Sequence, residues 1–128
     1  MTHHGHEYKL DKGIIIVSQT DEKGKIIYAN EDFCKISKFT KDELIGKAHN
    51  IVRHKDMPKE AFEDMWQTIK RGEVWNGVVK NQAKDGGYYW VNATVYPTDE
   101  KGQMRYFSVR VKPTQEEIEK AKKAYALL

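Results

Sequence analysis

Three strand-like runs in the second half of the chain constrain the fold most. They cover Val74–Gln82, Tyr88–Tyr96 and Met104–Lys112, and the turn-forming sequences KDGG and PTDEKG separate them. Turns rich in glycine, proline and aspartate join the strands of consecutive hairpins. The pattern therefore predicts a meander of three antiparallel strands.

The first half of the chain predicts another hairpin, followed by helices. Gly13–Ser18 is rich in β-branched residues, and the turn sequence DEKG separates it from a second strand at Lys25–Ala29. Helix starts are marked by capping residues, by a capping-box pattern or by proline in a first turn. The predicted helices are Glu31–Ile36 after Asn30, a short helix between Thr40 and Gly46, Pro58–Lys70 before Gly72, and Gln115–Leu128 after Thr114.

Length and charge set the outer bounds. With 128 residues, 39% of them hydrophobic, the chain fits one compact domain. Its 22 basic and 19 acidic residues are interspersed, which gives no indication of a nucleic-acid partner. The apolar runs are far too short for a bilayer span and no signal peptide is evident, so we expect no membrane insertion of this segment. The single cysteine, Cys34, favours a reducing, cytoplasmic setting.

A cationic cluster precedes the third predicted helix. His49, Arg53, His54 and Lys55 lie within a few residues of the helix start at Pro58. An apolar stripe predicts that one face of this helix is buried; it comprises Ala61, Phe62, Met65, Trp66 and Ile69. A helix N-terminus offers free amides and a positive dipole, so a phosphate near Arg53 and His54 would find several donors. A solvated basic loop is the alternative that these residues leave open.

The order of two strands, short helices, a longer helix and a three-stranded meander resembles a PAS domain. The segment GKIIYANEDFCKISKFTKDELIGK, residues 24–47, is similar to the core signature of that family. The resemblance implies an α+β fold, in which helices cover one face of a five-stranded antiparallel sheet. We expect a tail at residues 1–12, the PAS domain at 13–113 and the start of a helix connecting to an output module at 114–128. PAS domains bind flavins, haem, small acids or nothing.

A narrower resemblance is to the sensor domain of bacterial aerotaxis, or energy-taxis, receptors. Three separated blocks carry it: HNIVRHKDMPKEAFEDMW at residues 49–66, GEVWNGVVKN at 72–81 and DGGYYWVNATVYP at 85–97. Asn92 and Thr94 fall on a strand where related receptors often differ. The resemblance implies noncovalently bound FAD, a redox- or oxygen-sensing role, and signalling through a chemoreceptor module to a kinase–adaptor complex. It also implies a cytoplasmic location for this domain and leaves open whether the full receptor is anchored in a membrane.

One strand supplies candidate contacts for such a flavin. Asn81 shares a strand face with Trp75, Gly77 and Val79, because side chains alternate along a strand. A carboxamide complements the carbonyl and imide edge of a flavin ring, although an asparagine that bonds backbone at a strand end is the alternative. Gly77 would let a flat ring approach the sheet, since it carries no Cβ.

Three tryptophans are candidates to stack on the flavin or adenine rings: Trp66, Trp75 and Trp90. An ordinary core position competes with this role for Trp66, which lies on the apolar stripe of its helix. Trp75 shares the face of Asn81. Periodicity alone does not assign Trp90 to the inner or outer face of the sheet.

The basic cluster supplies the remaining candidates. The resemblance implies that Arg53 and His54 lie near the pyrophosphate or adenosine of FAD, and the planar fork of Arg53 suits phosphate oxygens. Asp56 has three candidate roles: orienting His54, bonding a ribose hydroxyl or capping the following helix. His49 is either a cofactor contact or a residue at a helix end.

We therefore expect a flavin redox sensor that has no catalytic activity of its own. No Ser–His–Asp order, pair of catalytic acids, phosphate loop or metal-ligand spacing stands out. Two alternatives stay open: a haem gas sensor with His49 or His54 as the axial ligand, and an unliganded module that forms homodimers. Photoadduct domains place a reactive thiol in the segment corresponding to Lys47–Arg53. Cys34 lies outside it, so adduct chemistry is not expected.

Overall fold

The fold is an antiparallel sheet of five strands with helices on its inner face. A computed structural model describes residues 5–128. The strands of this part are β1 (Ile16–Thr20), β2 (Ile26–Ala29), β3 (Trp75–Gln82), β4 (Tyr88–Glu100) and β5 (Gln103–Val111). The helices are α1 (Glu31–Ser37), α2 (Lys41–Leu44), a 3₁₀ turn (His49–Val52), α3 (Lys59–Lys70) and α4 (Gln115–Ala126). The sheet order is β2-β1-β5-β4-β3, which confirms the predicted fold class.

Local capping signals set the helix starts, as predicted. The Asn30 side chain accepts a hydrogen bond from the Phe33 amide at 3.1 Å and thereby caps α1. Thr40 and Thr114 begin α2 and α4, and each forms a complete capping box with the glutamate three residues on. Pro58 precedes α3 but offers no side-chain cap.

The β4–β5 hairpin is tighter than the sequence predicts. We expected the turn to span PTDEKG, yet β4 continues to Glu100 and only Lys101 and Gly102 form the loop. Both loop residues have positive φ, 53° for Lys101 and 84° for Gly102, as a two-residue type I′ turn requires. Pro97 pairs with Tyr106 of β5, and β3 pairs with β4 only as far as Val95, so the missing amide of Pro97 lies at a free edge.

The segment before β1 packs against the sheet. Part of the predicted tail, residues 1–4, lies outside the described residues. Beyond it, the Tyr8 amide donates to the Tyr88 carbonyl at 2.8 Å, and the Tyr88 amide donates to the His6 carbonyl at 2.8 Å. Leu10 is buried in the core. The described part of this segment thus extends the sheet beside β4.

The two faces of the sheet carry different partners. The inner face packs against α1, α3 and the 3₁₀ turn, and most of the buried apolar side chains lie there. Helix α4 lies on the outer face, where the Tyr125 hydroxyl donates to the Val78 carbonyl at 2.6 Å and Asn92 donates to Glu117 at 2.9 Å. Within residues 5–128, no helix has the length and apolar character needed to cross a membrane.

Candidate cofactor-binding site

A cavity of about 100 Å³ lies between the inner face of the sheet and helix α3. Protein interiors are close-packed and leave few voids larger than a water molecule. A space of this size, lined by aromatic and polar side chains, makes this part of the domain the candidate ligand site. Five of the predicted contacts line it: His49, Arg53, Trp66, Trp75 and Asn81.

Asn81 presents its carboxamide to this cavity. The residue is only 5% exposed, and its side chain has no hydrogen-bond partner among the described residues. Its backbone is held on both sides, by Tyr89 of β4 and by a bridge to Arg53. Within residues 5–128, the Asn81 side chain therefore forms no hydrogen bond to the backbone, which was the alternative to a ligand contact. The amide is free to serve as a donor and an acceptor for a ligand.

Trp75 and Gly77 lie beside each other, and Trp75 fills the space above Gly77. A Cβ at Gly77 would come within 2.4 Å of the Trp75 ring. The Trp75 indole N–H donates to Asp64 of α3 at 2.9 Å, which fixes the ring between sheet and helix. The absence of a side chain at Gly77 thus accommodates the indole. The role predicted for Gly77, letting a flavin ring approach the sheet, stays a prediction.

Arg53, Phe62 and Trp66 form the wall between the cavity and an outer groove of about 510 Å³. The Arg53 guanidinium lies 4.8 Å from the centroid of the Phe62 ring, a cation–π contact that holds it at the rim. Trp66 packs edge-on against Tyr106, with 5.4 Å between ring centroids. Lys59, Lys70 and Glu63 also line the groove, so its net charge is positive.

A buried polar network closes the opposite end of the cavity. His49 Nε2 lies 2.9 Å from the Ser18 hydroxyl, and Ser18 Oγ accepts a hydrogen bond from Arg110 at 2.6 Å. Burial and the charge of Arg110 lower the pKa of His49 to about 3, so the imidazole is neutral and its Nε2 can accept a hydrogen bond from the serine hydroxyl. The sequence analysis singled out His49 but missed Ser18 and Arg110.

His54 and Asp56 lie away from the cavity. His54 is buried, and its Nδ1 accepts a hydrogen bond from the Asp56 amide at 3.0 Å. Burial and the nearby Lys80 ammonium lower the pKa of His54. The Asp56 carboxylate pairs with Lys80 at 3.1 Å, which lowers the pKa of Asp56. Of the three roles considered for Asp56, helix capping is absent, because α3 has no side-chain cap.

Trp90 lies on the outer face of the sheet. It pairs with Lys80 of β3, whereas Asn81 and Trp75 point to the inner face. Its side chain borders two shallow spaces beneath α4 and the N-terminal segment, apart from the cavity. We therefore leave Trp90, with His54 and Asp56, out of the contacts proposed below.

Comparison with known proteins identifies the family. A family model described as the PAS fold matches residues 26–111, about two thirds of the chain. The chain belongs to the PAS family. This PAS domain is 46% identical over 114 residues to the aerotaxis receptor of Escherichia coli (strain K12), which covers 88% of the chain and 22% of that protein.

Two further similarities are more distant. The domain is 28% identical over 99 residues to a nitrogen fixation regulatory protein of Klebsiella pneumoniae, covering 77% of the chain and 20% of that protein. A solved light-oxygen-voltage domain, from work on a flavin analogue, superposes with a TM-score of 0.74 at 19% identity, covering 85% of this chain and 84% of that one. The chain spans about a fifth of the length of these curated relatives. It is a PAS sensor domain, from a family of signalling modules.

Proposed function

We propose that this PAS domain binds FAD noncovalently and senses the redox state of its surroundings through the flavin. The unpartnered carboxamide of Asn81, facing a cavity walled by Trp66 and Trp75, is the observation that carries the proposal. An amide without a protein partner in a mostly apolar cavity can pair with a ligand that offers a matching donor and acceptor. A flavin edge offers the matching acceptor and donor. The resemblance to aerotaxis receptors supports the same ligand.

The two compartments favour a dinucleotide over a flavin without the adenosine half. The inner cavity is mostly apolar and aromatic, which suits a ring system. The outer groove carries Arg53, Lys59 and Lys70 at its edge, which suits phosphates. Arg53, Phe62 and Trp66 border both spaces. We assign the ring to the cavity and the pyrophosphate to the groove beside Arg53.

The route from the cavity to α4 is short. Bound flavin would supply reversible uptake of electrons and protons. Asn81 contacts the cavity from β3, and neighbouring residues of the same strand contact α4 on the outer face. The Val78 carbonyl accepts a hydrogen bond from the Tyr125 hydroxyl, and Lys80 and Tyr125 both line a shallow space beneath α4. A change in the contacts of Asn81 would shift β3 and therefore the docking of α4, which leads towards the output module.

The remaining partners follow from the same resemblance. We propose a chemoreceptor signalling module after α4, a kinase–adaptor complex downstream and a cytoplasmic location for the domain. We also propose a homodimer, because an apolar row on the outer face of β4 and β5 is only half-buried or exposed; it comprises Tyr96, Phe107, Val109 and Val111. Light scattering on the purified domain measures this association.

The absorbance spectrum of the purified protein tests the ligand directly. A flavin spectrum, followed by acid release and chromatographic recovery of FAD, is the expected result. Recovery of FMN alone, of haem, or of no chromophore from flavin-replete cells contradicts the proposal. The geometry disfavours haem, since His49 Nε2 is engaged by Ser18 and His54 lies outside the cavity.

A further inference from the structure

Arg110 is a buried cation with unused hydrogen-bonding capacity. It is 2% exposed and lines the cavity from β5. Its Nη2 donates to Ser18, whereas Nε and Nη1 have no partner among the described residues. Burial lowers the pKa of Arg110 to about 10, which still leaves the guanidinium charged at neutral pH. A charge buried in this way is costly unless a partner compensates it.

Within residues 5–128, no aspartate or glutamate forms an ion pair with this guanidinium. Its neighbours are the Ser18 hydroxyl on β1, the Phe33 ring 4.4 Å away on α1, neutral His49 and Tyr89 on β4. Burial raises the pKa of Tyr89, so its phenol is neutral, and the phenol hydroxyl also has no partner among the described residues. The cavity lining in this part of the chain contains no aspartate or glutamate, and Arg53 adds a second cation.

The serine and histidine hold this cation in place. The Ser18 oxygen accepts a hydrogen bond from Arg110 Nη2 at 2.6 Å and lies 2.9 Å from Nε2 of neutral His49. The hydrogen bond to Ser18 fixes one edge of the guanidinium, while Nε and Nη1 of this cavity-lining side chain keep their donor capacity.

We propose that the Ser18–His49–Arg110 network makes the cavity favour the anionic form of a reduced flavin over its neutral form. The inference rests on the proposed function. Oxidised FAD becomes this anion when it takes up two electrons and, at N5, one proton from water. The electrons come from a reductant such as dithionite, or from a reduced nicotinamide or quinol in the cell. The negative charge of the anion resides on the pyrimidine part of the ring. Uptake of a second proton gives the neutral form, which Arg110 disfavours because a fixed cation stabilises the anion.

The pH at which the reduced flavin takes up its second proton measures this preference. We expect this pH to lie more than one unit lower for FAD in the wild-type protein than for free FAD, because the preference should exceed tenfold. Reductive titrations with dithionite at a series of pH values, followed by the absorbance of the reduced species, give both values. Equal values for bound and free FAD would overturn the inference, although FAD binding itself would stand. A protein that binds no FAD would overturn both.

Substitutions assign the effect to Arg110. Arg110→Gln should return the protonation pH towards that of free FAD, and Arg110→Lys should retain most of the shift. Arg105→Gln is the matched control, because Arg105 lies on the same strand but points to the other face. An unchanged value in Arg110→Gln contradicts the proposal. If Arg110→Gln does not fold, the comparison of wild-type protein with free FAD still tests whether the cavity favours the anion.

Discussion

Asn81→Ala tests where the ligand binds, because this carboxamide faces the cavity and is nearly inaccessible to solvent. The substitution leaves a polar edge of the bound ligand without its partner in a buried site, which costs about 1–3 kcal/mol. At about 1.4 kcal/mol per factor of ten, the dissociation constant for FAD should rise roughly 5- to 140-fold. The Asn81 side chain has no hydrogen bond within residues 5–128, so the apo protein should lose less than about 1 kcal/mol of unfolding free energy.

Two measurements separate binding from folding for this variant. Quenching of flavin fluorescence by the apo protein gives the affinity, and urea unfolding gives the stability. Asn76→Ala is the matched control on the same strand but the opposite face, where the amide donates to Asn92, Ala93 and Thr94. It should lose stability and keep its affinity for FAD. Wild-type affinity in a folded Asn81→Ala protein would refute the assignment of the ring to this cavity.

Three further predictions concern the rim, the wall and the buried end of the cavity. Arg53→Ala should weaken FAD binding by about tenfold or more and riboflavin binding much less, because a charge-assisted bond contributes about 1.5–3 kcal/mol; equal losses in binding titrations would remove Arg53 from the phosphates. Gly77→Ala should lower the unfolding free energy by about 1–3 kcal/mol through the clash with the Trp75 ring, whereas Gly13→Ala, with open space around it, should not. The low folded pKa of His49, about 3 against an ordinary 6.5, means that the unfolded chain binds the extra proton. Stability should therefore fall as pH drops from about 6.5 towards 3, by up to about 1.4 kcal/mol per pH unit, and His49→Gln should reduce this slope in urea unfolding.

Short-range signals made most of the fold predictable from the sequence. Asn30, Thr40 and Thr114 each satisfy an amide three residues further along the chain, so each helix start is marked locally; the Asn30 side chain also bonds the backbone of Ile15 and Val17. The extent of the β4–β5 turn was mispredicted for the same physical reason. Proline and acidic residues are common in turns, but cross-strand pairing continued through Pro97 to Glu100.

Placement of residues on one face or the other depended on pairing between distant segments. Asn81 and Trp75 could be placed together because both lie on one strand with even spacing. Trp90 could not, since its face is set by its pairing with Lys80. His54 is only one residue from Arg53, yet it lies with Asp56 and Lys80 away from the cavity. Residues that are close in the sequence were therefore expected to contact one ligand, but His54 does not line the cavity that Arg53 lines.

The alternation of polar and apolar residues on β5 carries a signal for the site that sequence reasoning did not use. Tyr106, Ser108 and Arg110 point inward and are buried, whereas Phe107 and Val109 on the other face are only half-buried. A packed core would favour the reverse arrangement, since burying Ser and Arg costs free energy that burying Phe and Val does not. On the adjacent strand β1, Ser18 and Thr20 are buried while Val17 is half-exposed. Two neighbouring strands that bury their polar face indicate a polar site inside the domain. That pattern leads to Arg110 and Ser18, the two residues that the family resemblance did not supply.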